Sequence, residues 1–258
     1  MALAPSLRVV ESHARVYRRT WRGSVISTFL NPVLFLLAMG VGLGELVDGG
    51  TGSADLDLPY LTFLAPGLLA ATAMQTGAGD AAYPVMAGIK WRQTYQATLA
   101  TPVGVTELVA GHLGWVAIRL TFVTVVYALV MAAFDATGVV NGLLAVPPAV
   151  LTGVAFSAPV TAFTARLKNE AGLSGLFRFV ILPLFLFSGT FFPVSQLPGF
   201  IQPVAYVIPL WHGVSLCRGL ALDVGFGAPP AISVAYLAAW LVIGGALAVR
   251  QLRKRLVI

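Results

Sequence analysis

The chain has 258 residues, 58% of them hydrophobic and only 10% charged, with a net charge of +6. A soluble domain carries about 25% charged residues, so this composition argues against a water-soluble fold and for an integral membrane protein with several helices. Its one cysteine, Cys217, excludes an intrachain disulfide, and the excess of arginine over lysine, 13 to 3, is the bias of a GC-rich bacterial genome.

Residues 1–24 hold Arg8, Arg15, Arg18, Arg19 and Arg22. Leu7, Val10, Ala14, Tyr17 and Trp21 recur at spacings of three and four, which predicts an amphipathic interfacial helix whose arginines reach anionic headgroups. The apolar run that follows is long enough to span and lacks a clear A-x-A site, unlike a cleavable signal peptide. A spanning helix needs roughly 20 mostly apolar residues. Six runs meet that demand: Val25–Gly44, Tyr60–Gly79, His112–Phe134, Gly142–Ala165, Ala171–Phe192 and Pro230–Val249. The expected fold is therefore all-α and polytopic, one membrane domain over residues 25–249 with a basic tail at 250–258. Alternating ten-residue strand patterns of a barrel are missing.

Orientation follows from the loop charges. The five N-terminal arginines, Lys90, Arg92, Arg166, Lys168, Arg250, Arg253, Lys254 and Arg255 all fall on one side of a six-helix topology. Glu45, Asp48, Asp55, Asp57, Asp135 and Asp223 fall on the other, with Arg218 the one nearby cation. Both termini are expected in the cytoplasm. The basic residues then read as topology signals and contacts to membrane lipids, with no nucleic-acid partner.

Two loops carry more information. In Ala87–Arg119, the residues Lys90, Trp91, Arg92, Tyr95 and Leu99 predict a short amphipathic helix within Gly88–Thr101, ended by Thr101-Pro102. Such a helix either lies on lipid or docks a soluble partner, and spacing leaves both readings open. From Phe179 to Cys217 the chain runs 39 residues without a charge, nearly two crossings long, yet a second crossing would put the basic C-terminus outside. Pro183, Pro193, Pro198, Pro203 and Pro209 break regular helix. The expectation is one helix followed by a re-entrant segment of short broken helices over Pro193–Arg218, buried by protein or reached by water. Phe191, Phe192, Phe200, Tyr206 and Trp211 would give it an aromatic surface, either an outer gate or an interfacial belt.

Charges inside apolar runs are costly and usually face a cavity or a partner. Arg119 and Arg178 lie within about 10 Å of the cytoplasmic helix ends at 1.5 Å per residue. They snorkel to the headgroups or attract an anionic group of a substrate, and Asp80 can pair with either. His13, His112 and His212 lack metal-like spacing, so no metal site is expected. Gly40-x-x-x-Gly44 is a weak helix-packing motif. Gly77-Ala78-Gly79-Asp80 matches the G-x-G-D of intramembrane aspartyl proteases, which need a second carboxylate that is missing here. Gly172-Leu173-Ser174-Gly175 matches the G-x-S-G of rhomboid proteases, but no histidine is expected within reach of Ser174.

The pattern Arg92-x-Thr94-x-x-Ala97-x-Leu99-x-Thr101-Pro102-Val103, followed by Glu107-Leu108-Val109-x-Gly111-x-x-x-Trp115, resembles the permease subunits of ABC-2 type exporters. Phe187-Ser188-Gly189-x-Phe191-Phe192-Pro193-Val194-x-x-Leu197-Pro198 and Ile208-Pro209-Leu210-Trp211-His212-Gly213 carry the same resemblance. It covers nearly the whole chain and is most similar to the branch of nodulation lipo-oligosaccharide exporter permeases. The resemblance implies a bacterial plasma-membrane subunit that exports an amphipathic cargo: a glycolipid, a lipo-oligosaccharide or a hydrophobic drug. It implies a coupling helix at Lys90, Trp91, Arg92, Thr94, Tyr95, Gln96 and Leu99 that seats in a cleft of an ATPase subunit. Many members carry glutamate where this chain has Gln96. No G-x-x-x-x-G-K-[ST] occurs here, so ATP and magnesium would sit on a separate ATPase, in two copies. A second permease copy, identical or paralogous, would complete the path. An intramembrane enzyme of the rhomboid-like serine protease type, or a non-transporting assembly factor, is the competing reading.

Overall fold

The computed structural model describes residues 4–42, 44 and 58–256. Helix α1 (Pro5–Phe35) continues as a π-helical stretch (Leu36–Gly42), and α2 (Tyr60–Met86) runs into a π turn (Ala87–Trp91). A short α3 (Thr94–Leu99) leads to α4 (Val105–Ala133), α5 (Val139–Leu144) and α6 (Val146–Thr164). Next come α7 (Ala171–Leu176), a π turn (Phe177–Ile181) and α8 (Leu182–Phe187). A 3-10 turn (Val194–Gln196), α9 (Gln202–Val207), α10 (Pro209–Leu222) and α11 (Pro230–Leu256) complete the chain. No strand occurs among the described residues. Three helical runs among them are long and apolar enough to cross a membrane: Val105–Ala133, Val139–Thr164 and Pro230–Leu256.

Proline placement explains much of this punctuation. A proline in the first turn of a helix loses a hydrogen bond that the position lacks anyway. Pro5, Pro203, Pro209 and Pro230 each stand at the first or second position of a helix. Pro183, inside the continuous α7–α8 rod, denies the Phe179 carbonyl its usual donor, and the rod passes through a π turn there.

Several boundaries differ from the sequence reading. A separate interfacial helix and first span were expected; α1 instead runs unbroken from Pro5 through both, and its apolar face packs against α4. Val9 is buried, and a Cβ on Gly111 of α4 would stand 2.6 Å from Val9, so the first turns of α4 supply the surface that the sequence left unseen. The expected tail is also helical, since α11 carries Arg250, Arg253, Lys254 and Arg255 within it. The rod α7–α8 ends at Phe187, before the expected Phe192, because Gly189 takes a φ of +79° that suits glycine. Glu45, Asp48, Asp55 and Asp57 lie outside the described residues.

Helix α6 is the hub, packed against α2, α4, α10 and α11. Of its most apolar window 56% is buried, against 22% for α11, so α11 stands at the periphery. Small residues let the backbones approach closely. A Cβ on Gly153 of α6 would lie 2.6 Å from the Ala73 carbonyl oxygen of α2, and one on Gly77 would strike the Gly153 carbonyl. Gly244 of α11 likewise sits over Pro159, where a Cβ would approach to 2.6 Å. The main core joins Leu64, Leu68, Met74, Leu120, Met131 and Leu210. A second cluster closes one end of the bundle, the basic end, and a small one closes the opposite, proline-rich end.

If this contact sets the packing, Gly77→Ala must push α2 off α6. A loss of about 1–3 kcal/mol is expected from overpacking, read as a lower melting temperature in detergent. Gly79→Ala, with nothing within 4 Å of its Cβ, should melt at or above wild type. Equal melting of the two variants would refute the close-contact assignment.

Candidate functional site

At the basic end, the segment after α6 is tied both to the loop after α2 and to α11. Lys90 Nζ donates to the Lys168 carbonyl at 2.8 Å. Arg255 Nη1, from α11, donates to the carbonyls of Ala165 at 2.8 Å and Leu167 at 2.7 Å. Two cations from different helices thus satisfy carbonyls that the end of α6 leaves without partners. The cluster beneath contains Val9, Val85, Ile89, Tyr95, Leu108 and Leu252, and so ties the loop to α1, α2, α4 and α11.

The single amphipathic helix expected over Gly88–Thr101 is two pieces. The π turn ends at Trp91, Gln93 takes a left-handed φ of 51°, and α3 begins at Thr94. Tyr95 is buried, its ring packed over Gly88, where a Cβ would lie 2.7 Å away. Burial raises the phenol's pKa, so it stays protonated. Gln96 Nε2 donates to the Ile89 carbonyl at 2.7 Å, a bond that a carboxylate could not make. Leu99 is half-buried on the same cluster. Lys90, Trp91, Arg92, Thr94 and Gln96 are the exposed members, Trp91 with 54% of its surface exposed. Of the residues named for docking, Tyr95 therefore anchors the loop and does not present it.

Among the intramembrane charges, Asp80 of α2 pairs with Arg119 of α4, and both are largely buried. Asp80 Oδ2 and Arg119 Nε have no other partner among the described residues. The Tyr17 ring of α1 lies 5.9 Å from the guanidinium. Beside it His13 stacks on Trp115 at 6.1 Å and approaches His112 at 5.7 Å. Arg178, on the π turn of the α7–α8 rod, is exposed and takes no part in the Asp80 pair. Asp80 serves Arg119, and His212 is hydrogen-bonded to Ser233 at 3.0 Å, so the two protease-like motifs are not assembled among the described residues.

At the proline-rich end, Arg218 does what the sequence did not announce. From α10 it donates to the carbonyls of Phe63 at 3.2 Å and Gly189 at 3.1 Å, and it lies 3.8 Å from the centre of the Phe63 ring. It pins the turn after α8 to the start of α2. A lone arginine in an apolar stretch, facing a Ser-Gly-Thr turn, was the one signal available. Of the five aromatic residues expected at an outer gate, three meet, Phe192 and Trp211 on one cluster and Tyr206 on Trp211. Phe191 packs edge-on to Phe185 at 4.9 Å, Tyr206 edge-on to Trp211 at 4.9 Å, and Phe192 joins the small cluster around Val194 and Leu197. Phe200 is 80% exposed and stands apart.

Comparisons with known proteins place the chain among transport permeases. The family described as ABC-2 type transporter matches residues 9–222. Nodulation protein J of Rhizobium meliloti (strain 1021) is 29% identical over 243 residues, 93% of this chain and 89% of that protein. Nodulation protein J of Rhizobium leguminosarum bv. trifolii is 30% identical over 214 residues, 80% of each chain. The inner membrane transport permease YadH of Escherichia coli (strain K12) is 24% identical over 199 residues, 77% of this chain and 75% of that one.

The Asp80–Arg119 pair gives a direct test. Removing one member of a buried pair strands the other charge at a cost of about 3–5 kcal/mol, the lower end applying here because Arg119 is partly exposed. Asp80→Asn and Arg119→Gln should each lower the melting temperature in detergent. The double variant should melt above the level that summing the two losses gives; strict additivity would mean that the pair is not coupled.

Proposed function

The chain belongs to the ABC-2 type transporter family and is a membrane transport subunit, and from that premise we propose that it is the permease half of an ATP-driven exporter. Its ATPase is a separate polypeptide, present in two copies, each with ATP and magnesium. Two permeases, identical or paralogous, complete the path. Six spans cross a bacterial inner membrane: α1 with its π extension, α2, α4, α5–α6, α7–α8 and α11. The basic end faces the cytoplasm, as the positive-inside rule requires. The proline-rich segment dips back from the outer face, since α10, at about 1.5 Å per residue, spans only about 21 Å. The cargo is amphipathic, such as a glycolipid, a lipo-oligosaccharide or a hydrophobic drug, in keeping with the apolar composition.

One observation carries this reading. The outward edge of the loop, Trp91, Arg92 and Thr94, hangs from an inward face packed into the cluster shared by α1, α2, α4, α6 and α11. A load applied to that edge by a soluble subunit reaches five helices without passing through a flexible hinge. The Gln96–Ile89 and Lys90–Lys168 bonds stiffen the same lever.

Trp91→Ala combined with Arg92→Ala should leave the permease's melting unchanged, yet abolish co-purification of the ATPase subunit and transport with it. Tyr95→Ala should lower the melting temperature first. Normal assembly and transport by the Trp91/Arg92 variant would overturn the docking assignment. Sidedness is read separately in a Cys217→Ser background, the native thiol being buried. A cysteine replacing Gln196 should react with an impermeant maleimide on intact cells, and one replacing Lys254 only after permeabilisation. The reverse pattern would overturn the orientation.

A further inference from the structure

A groove of about 590 Å³ opens on the side of the bundle between α6, the α7–α8 rod, α9 and α11. Its floor is buried, formed by Phe156, Val160, Ile181 and Ile208, while Val204 and Val207 on its rim are exposed. All fourteen lining residues are apolar. The π turn of the rod contributes Val180 and Ile181 directly to the wall, and α9 contributes Pro203, Val204 and Val207. Helices carry π turns disproportionately where a ligand or function requires an altered wall.

Length and lining select the occupant. Along α6 the groove runs from Phe156 to Phe163, and along the rod from Leu176 to Leu184, or about 10–12 Å at 1.5 Å per residue. One leaflet of hydrocarbon is about 15 Å deep, half of the roughly 30 Å core. A single extended acyl chain matches that length and the wholly apolar lining. Charge supplies the other half. Arg166 follows Phe163 by three residues, is exposed, and stands at the basic end. On α11, Lys254 lies fourteen residues from Trp240, four turns on and near the same face, within a basic furrow that also holds Arg250 and Arg253.

We propose that this groove is a binding slot for one acyl chain of an anionic phospholipid of the cytoplasmic leaflet, its headgroup held by Arg166 and Lys254 and its chain end covered by α9. The bound chain fills the space between the rod and α9, so it sets how far the proline-rich segment can settle onto the bundle. The slot rests on the orientation given above. Cysteine labelling tests that orientation without reading lipid, so the two can fail independently.

The test uses the full-length permease in nanodiscs of phosphatidylcholine and phosphatidylglycerol, doped with phosphatidylglycerol bearing a diazirine in one acyl chain. Adducts should concentrate on Leu176–Leu184 and Val204–Pro209, at least fivefold above the exposed face of α11 at Val242 and Ile243. Unlabelled phosphatidylglycerol should displace them. A Val180→Trp, Leu184→Trp variant should lose the slot adducts and keep those on α11, which also reports that it is folded. Arg166→Gln should reduce labelling to the level given by a phosphatidylcholine probe. In the unaltered protein, brominated phosphatidylglycerol should quench the fluorescence component that Trp240→Phe removes, which makes the test independent of the filled variant's folding. Slot labelling no stronger than that of α11, survival of slot adducts in the filled variant, or equal labelling by the phosphatidylcholine probe would overturn the proposal.

Discussion

The contact between the backbones of α2 and α6 is the constraint on which the bundle depends. In hydrocarbon, apolar burial does not drive helices together, and packing and backbone proximity do so instead. Ala73, Gly77 and Gly153 remove the side chains that would hold those two helices apart. Once α2 and α6 touch, α4 and α10 close onto both, and α11 lies over α6 through Gly244 and Pro159. The Asp80–Arg119 pair can then form within one layer of packing from α1, where Tyr17 covers it.

The two ends of the bundle solve different problems. At the basic end, cations satisfy carbonyls at and just after the end of α6, and one of these bonds, from Lys90, fixes the loop that carries Trp91 and Arg92. Charge, capping and loop rigidity thus come from one set of residues. At the proline-rich end, the difficulty is irregular backbone inside an apolar setting. Arg218 answers it by donating to the carbonyls of Phe63 and Gly189, while Ser188 and Thr190 bond each other at 2.8 Å. Breaks made by proline are tolerated because neighbouring side chains supply the missing donors.

Prolines are therefore less disruptive here than their number suggests. Several of them start helices, Pro32, Pro66, Pro84 and Pro159 lie inside long ones, and Pro183, inside the α7–α8 rod, stands beside a π turn that also shapes the wall of the apolar groove. A local backbone adjustment and a lateral opening share one cause.

The sequence by itself determined the class of the protein. Composition demanded a membrane chain, hydropathy placed apolar runs that share one boundary with α2, α4, α6 and α11 to within a residue, though three stop seven residues short at the other, and the loop motifs carried the ABC-2 likeness that the comparisons show. These features depend on local composition and on residues close in the chain, so they are legible one segment at a time. The tertiary structure alone decided which residues face each other. Tyr95 and Trp91 look equivalent in a short amphipathic loop, yet one is buried over Gly88 and the other exposed, because the cluster beneath is assembled from α1, α2, α4, α6 and α11. Asp80 had two arginines to choose from and Arg218 had no visible partner at all. Both choices depend on contacts between residues 29 to 155 positions apart, and spacing within one chain segment carries no information about such pairs.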